Sequence, residues 1–107
     1  MVRRLQQQLP FLQSVLREAN QNVRRERFQH ANADQVNAIR ELVMNTLKGN
    51  VAVLPRLLDE LRPHKHALCE MARRKHSIKR RQHVMMAQTG ARVWNALDRV
   101  CHHCLTG

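Results

Sequence analysis

The sequence predicts an all-α fold, a compact bundle of four to six helices forming a single domain over residues 1–107. Three observations lead there. Apolar residues recur at steps of three and four, the period of a helix face rather than a strand face. Only three Gly and three Pro occur in 107 residues, too few for the turns of an all-β chain. Aromatic residues are limited to Phe11, Phe28 and Trp94, which leaves the interior to Leu, Val and Met, the usual filling of helix–helix contacts. An apolar content of 43% suffices for one modest core.

The elements follow in order. Leu5, Leu9, Leu12, Leu16, Ala19 and Val23 repeat at steps of four and three, a coiled-coil-like stripe on an N-terminal helix. Pro10 suits a first helical turn, so the helix proper is expected to start there, after a short or frayed turn over residues 2–8. Residues 30–34 read as a connector. Asn32 is the expected N-cap of the next helix, and Gln35 completes a capping-box spacing. Val36, Ile39, Val43 and Leu47 line that helix, and Gly49-Asn50 ends it.

Residues 51–54 read as a short extended link. Pro55 opens a brief helix carrying Leu57, Leu58 and Leu61, and Pro63 closes it and starts another. There Ala67, Leu68, Met71 and Ala72 give a narrow apolar face. Ser77 either caps a new helix or sits inside a continuous one. Val84, Met85 and Met86 return the chain to the core, and Gly90 closes the segment. A last helix over 91–104 places Val93, Trp94, Leu97, Val100, Cys101 and Cys104 at helical spacing. The domain thus has a helical half over 1–50 and a basic, helical half over 51–107.

Charge points to function. The formal net charge is +11, and residues 62–83 hold eight cations against one acid, Glu70, with His64, His66, His76 and His83 among them. Fifteen of the 19 basic residues are Arg, whose planar fork suits bidentate contact with phosphate. A solvated helix face alternates its signs in i,i+4 pairs. Here the signs do not alternate, so an external polyanion is expected to balance them. On a helix, Arg73 and Arg80 share a face, Arg74 and Arg81 lie beside them, and Lys75 and Lys79 form a flank. The expected contacts are Arg62, Lys65, Arg73, Arg74, Lys75, Lys79, Arg80 and Arg81, with Arg24, Arg25 and Arg27 as a second patch.

The expected function is therefore non-catalytic binding of nucleic acid, double-stranded DNA foremost, through its phosphates. Zinc-finger spacing, basic-zipper heptads and a helix-turn-helix are all missing, so little sequence preference is expected. Scarce aromatics argue against base stacking. Neutralising six or so phosphates sets a salt slope, log K against log salt, of about −5. The alternative is a helical interaction module whose basic face docks on an acidic protein, with the stripe at 5–23 as a seam for self-association or a partner.

Cys101-His102-His103-Cys104 has the spacing of a zinc knuckle, but zinc needs four ligands. A second pair would be Cys69 with His66. The plainer reading puts Cys101 and Cys104 on the apolar face of the last helix, with no metal and no cofactor; a disulfide is the third. The acids form no catalytic motif, no glycine-rich phosphate loop is present, and Cys69 with His66 lacks an orienting third group, so no enzyme is expected. No 18-residue apolar run exists to span a membrane, and the N-terminus is too polar for a signal peptide. The expected location is the nucleus or a virion, otherwise the cytoplasm.

From Leu47 onward a further pattern emerges in Leu47-Lys48-Gly49-Asn50-Val51, Leu61-Arg62-Pro63-His64-Lys65, Leu68, and Ala72-Arg73-Arg74-Lys75. It continues through Ser77-Ile78-Lys79-Arg80-Arg81 and Gln88-Thr89-Gly90. This resembles the small basic proteins of Polinton-type transposons and related adenovirus-like elements (adintoviruses and adomaviruses), over about residues 47–90. The resemblance implies a virion-core or minor capsid component associated with packaged DNA, and with it a homo-oligomer or a capsid or core protein as partner. Ala91 stands where the family pattern has a second Gly, and the tail is an amphipathic Trp-containing helix instead of a plain hydrophobic stretch.

Overall fold

In the computed structural model, residues 2–48, 55–88 and 91–106 are described, with the backbone alone for residues 2, 91 and 103–106. Among them the chain forms α1 (Val2–Gln7), α2 (Leu9–Leu16), α3 (Gln21–Gln29), α4 (Ala33–Leu47) and α5 (Pro55–Leu61). A 3₁₀ turn (Arg62–His64) leads to α6 (Lys65–Ala72), α7 (Ile78–Ala87) and α8 (Ala91–Thr106). No strand occurs among the described residues, so the all-α class holds. The helices outnumber the expected four to six because the chain breaks at three further points that apolar spacing overlooks, at Gln8, which makes no side-chain cap, and at the capping residues Asn20 and Ser77.

The first break is Gln8. Pro10 lies in the first turn of α2, as expected, but residues 2–7 are a helix and not a frayed turn. Leu5 holds it, with no exposed surface, and Arg4 pairs with Glu41 of α4 at 3.0 Å. The second break divides the N-terminal stripe. α2 stops at Leu16, and the Asn20 side chain accepts from the backbone N–H groups of Asn22 (2.9 Å) and Val23 (3.3 Å) to start α3. Ala19 is exposed and Val23 half-buried, while Leu5, Leu12 and Leu16 lie in the chain's own core. The stripe is therefore no continuous seam for a partner.

The Asn32–Gln35 capping box forms as expected, both hydrogen bonds at 2.9 Å. It launches α4, the helix at the centre of the bundle, which packs against α1, α2, α6, α7 and α8. Val36, Ile39 and Val43 are fully buried, whereas Leu47 at its end is 37% exposed. The expected stop at Gly49-Asn50, the link over 51–54 and the closing Gly90 lie outside the described residues. The third break is Ser77, whose Oγ accepts from the Arg80 backbone N–H at 3.1 Å. Residues 63–88 are thus two helices, not one.

Each helix contributes to a single core, from Leu5, Leu12 and Phe28 through Ile39, Leu61, Leu68 and Met85 to Trp94 and Leu97. Phe28 sits 5.2 Å from Trp94 and meets Phe11 edge-on at 6.1 Å, joining α2, α3 and α8. The halves 1–50 and 51–107 do not separate, since α8 packs on α1, α2 and α4.

The helix ends are closed in an uncommon way. With three Gly in the chain, few left-handed glycine stops are on hand. Side chains from other helices supply the missing donors to orphan carbonyls. Arg24 of α3 donates through Nε to the Val15 carbonyl at 3.0 Å and through a terminal nitrogen to the Glu18 carbonyl. Arg27 donates to the Ser14 carbonyl and the Glu18 carboxylate. Gln82 of α7 closes α3 by donating to the Gln29 carbonyl at 2.7 Å, and it adds a second donor to the Phe28 carbonyl, which already accepts from the Ala31 N–H at 3.2 Å. Cations at a helix C-terminus also complement its dipole.

Candidate nucleic-acid interface

The basic segment is split by its own caps. α6 ends at Ala72, residues 73–77 turn, and Ser77 starts α7 with Lys79, Arg80 and Arg81 in its first turn. The heptad pairing of Arg73 with Arg80 and of Arg74 with Arg81, which needs one continuous helix, does not form. Arg74 and Lys75 instead project from the turn, and Lys79 and Arg80 from the helix start beside it. All four are exposed, and none has a carboxylate partner among the described residues.

The other expected contacts divide. Arg73 is 58% exposed at its side chain but pairs with Glu70 at 3.0 Å. Arg81 turns inward, donating to Asn37 Oδ1 on α4 at 3.1 Å and to the Arg74 carbonyl at 3.2 Å, so it braces the turn. Burial first, then the charge of Arg40, pulls its guanidinium below the ordinary value. Arg62 pairs with Asp59 at 3.3 Å. Lys65 is exposed and lines, with Arg62, Leu47, Leu58 and Leu68, a separate cleft of about 210 Å³. The length of α6, about 12 Å at 1.5 Å per residue, lies between Lys65 and the 73–77 turn.

The second patch largely dissolves. Arg24 is 3% exposed, with its guanidinium carbon 5.6 Å from the Trp94 ring centroid, and burial draws it below its ordinary value. A side chain clasping two carbonyls beneath a ring does not face a polyanion. Arg27 is half-buried and paired with Glu18 at 3.2 Å. Arg25 alone stays exposed without a partner among the described residues.

Most acids are placed away from the turn. Glu41, Asp98 and Glu60 pair with Arg4, Arg17 and Arg99 at 3.0, 3.1 and 3.2 Å. Glu70 is the acid nearest in sequence. Its Oε2 lies 3.0 Å from His76 Nε2, and that hydrogen bond above all holds its carboxyl below the ordinary 4.5. His76 is therefore engaged locally, within the segment itself. The first turn of α7 holds no acid, although the positive end of a helix dipole favours one there, at about 0.3–1 kcal/mol for each misplaced charge.

Cys69 is exposed on α6 and Cys101 buried on α8, and His66 is exposed. Among the described residues no three His, Cys, Asp or Glu side chains group as a metal site requires, and no helix is long and apolar enough to cross a membrane. The Cys104 side chain lies outside the description. Sequence spacing gave no reason to consider Arg40, since residues 31–61 carry a net charge of −1; only the fold brings it to Arg81. No family model matches the chain, and no curated protein or solved structure matches it either.

Proposed function

We propose that this chain is a non-catalytic nucleic-acid-binding protein that grips the phosphate backbone, of double-stranded DNA foremost, with little sequence preference. One observation carries the reading. Arg74, Lys75, Lys79 and Arg80 crowd the start of α7, exposed and without a carboxylate among the described residues. Like charges at a dipole end of the same sign are unfavourable twice over, and a phosphate relieves both. Four such contacts correspond to a salt slope of about −3.6, shallower than a fully displayed basic helix implies. Packaging of DNA in a nucleus or virion, as the transposon and viral resemblance implies, is the role this contact would serve.

The test is a salt titration of binding to random duplex DNA. The wild type should lose affinity along that slope. Reversal of all four cations (Arg74→Glu, Lys75→Glu, Lys79→Glu, Arg80→Glu) should abolish binding with helicity retained. Affinity insensitive to salt, or kept by the reversed variant, overturns the reading. A second reading, docking of an acidic protein segment, is supported by the separate cleft, where exposed Leu47 and Leu58 lie with Arg62 and Lys65. Lys65→Glu should weaken that interaction and leave DNA affinity intact.

A further inference from the structure

α4 and α7 bring together two arginines that no carboxylate pairs with among the described residues. Arg81 crosses from the first turn of α7 to α4, where its guanidinium donates to Asn37 Oδ1 at 3.1 Å. Arg40 lies three residues beyond Asn37, hence on the same face of α4. Its charge is close enough to disfavour the charged form of Arg81. Both side chains are half-buried, and each Nε–H is sealed from solvent with no acceptor among the described residues. The neighbouring acid, Glu41, is turned to Arg4 through Oε1 at 3.0 Å, and its Oε2 is buried with no hydrogen bond to either arginine among the described residues. Two partly desolvated like charges are unfavourable in solvation and in mutual repulsion, and an anion between them corrects both.

We propose that Arg40 and Arg81 form a two-guanidinium cradle for a single phosphate group, beside the turn at residues 73–77. Arg40, whose terminal nitrogens have no partner among the described residues, offers its fork to a pair of phosphate oxygens, which a chloride ion cannot match. Arg81, already holding Asn37 and the carbonyls of Arg73 and Arg74, adds its charge and its remaining terminal N–H. For its natural occupant the cradle rests on the nucleic-acid reading, and it extends the basic cluster from α7 onto α4. A free phosphate and a backbone phosphodiester share the required chemistry.

Arg40→Gln is the variant of choice, because Arg81 also braces the turn. The full-length wild type and R40Q are melted in inorganic phosphate and in chloride of equal ionic strength, and each is titrated with salt on random duplex DNA. Phosphate at roughly ten times its dissociation constant should raise the wild-type melting temperature by about 6 °C and that of R40Q by under about 1 °C. R40Q should also bind duplex with a salt slope shallower by about 0.9. An equal rise in both proteins, the signature of a general solute effect, overturns the cradle. An Arg40-dependent rise with an unchanged duplex slope supports it and assigns it to free phosphate. An Arg40-dependent rise without any DNA binding keeps the cradle and removes the nucleic-acid reading. DNA binding with neither change removes the cradle alone.

Discussion

Arg24→Met is the substitution that most sharply separates a surface cation from an internal brace. The variant keeps the apolar stem and deletes the guanidinium, which donates to the Val15 and Glu18 carbonyls and lies 5.6 Å from the Trp94 ring centroid. Hydrogen bonds from a charged donor contribute about 2 kcal/mol each, and the ring contact about 1 kcal/mol. Relief of guanidinium desolvation offsets roughly 2 kcal/mol of that total. The net loss is about 3 kcal/mol, a large share of the roughly 5–15 kcal/mol that holds a domain of this size. With an unfolding entropy of about 2.1 cal/mol/K per residue, the melting temperature should fall by about 13 °C. Thermal unfolding followed by circular dichroism measures this, and DNA affinity taken at low temperature should be unchanged. A variant that melts within about 4 °C of the wild type yet loses DNA affinity would show that Arg24 works at the surface, and would refute the burial argument.

Two other outcomes are expected. Glu70 has a folded-state value below its ordinary 4.5, chiefly through the His76 hydrogen bond, so its contribution to stability is complete above 4.5 and is lost as pH falls through the lower folded value. Melting temperatures of wild type and Glu70→Gln should therefore converge below pH 4.5; a gap that widens on acidification contradicts the sign. Leu12→Asp places an unpaired carboxylate where the wild-type side chain has no exposed surface, at a cost above about 4 kcal/mol. The variant should be unfolded at 25 °C by circular dichroism, and a well-folded monomer released from a dimer would restore the seam that the fold denies.

Helical class, the Asn32–Gln35 capping box, the role of Pro10 and the buried face of α8 were all legible, because each depends on residues within one or two turns. The basic cluster was legible in composition but not in geometry. Whether Ser77 capped or continued a helix depended on a single hydroxyl, and the answer decides which cations stand together. Arg24 and Arg81 read as surface charges because a guanidinium in sequence carries no sign of the carbonyls it will meet. Those carbonyls belong to a helix end nine residues from Arg24 and to a turn seven residues from Arg81, and Asn37 lies 44 residues from Arg81. The stripe over residues 5–23 misled for the opposite reason. Its spacing was regular, but Asn20 offers the backbone a cap that starts a new helix after α2 stops at Leu16, and local hydrogen bonding prevailed over periodicity.

The borrowed caps have a bearing on how the molecule comes apart. The end of α2 is closed by α3, and the end of α3 by α7, so neither terminus is complete until its neighbour has docked. Such serial dependence discourages piecemeal melting. Loss of α7 frays α3, which in turn frees the arginines that seal α2. Unfolding should accordingly be concerted, with amides of α2, α3 and α7 exchanging through one shared opening rather than three.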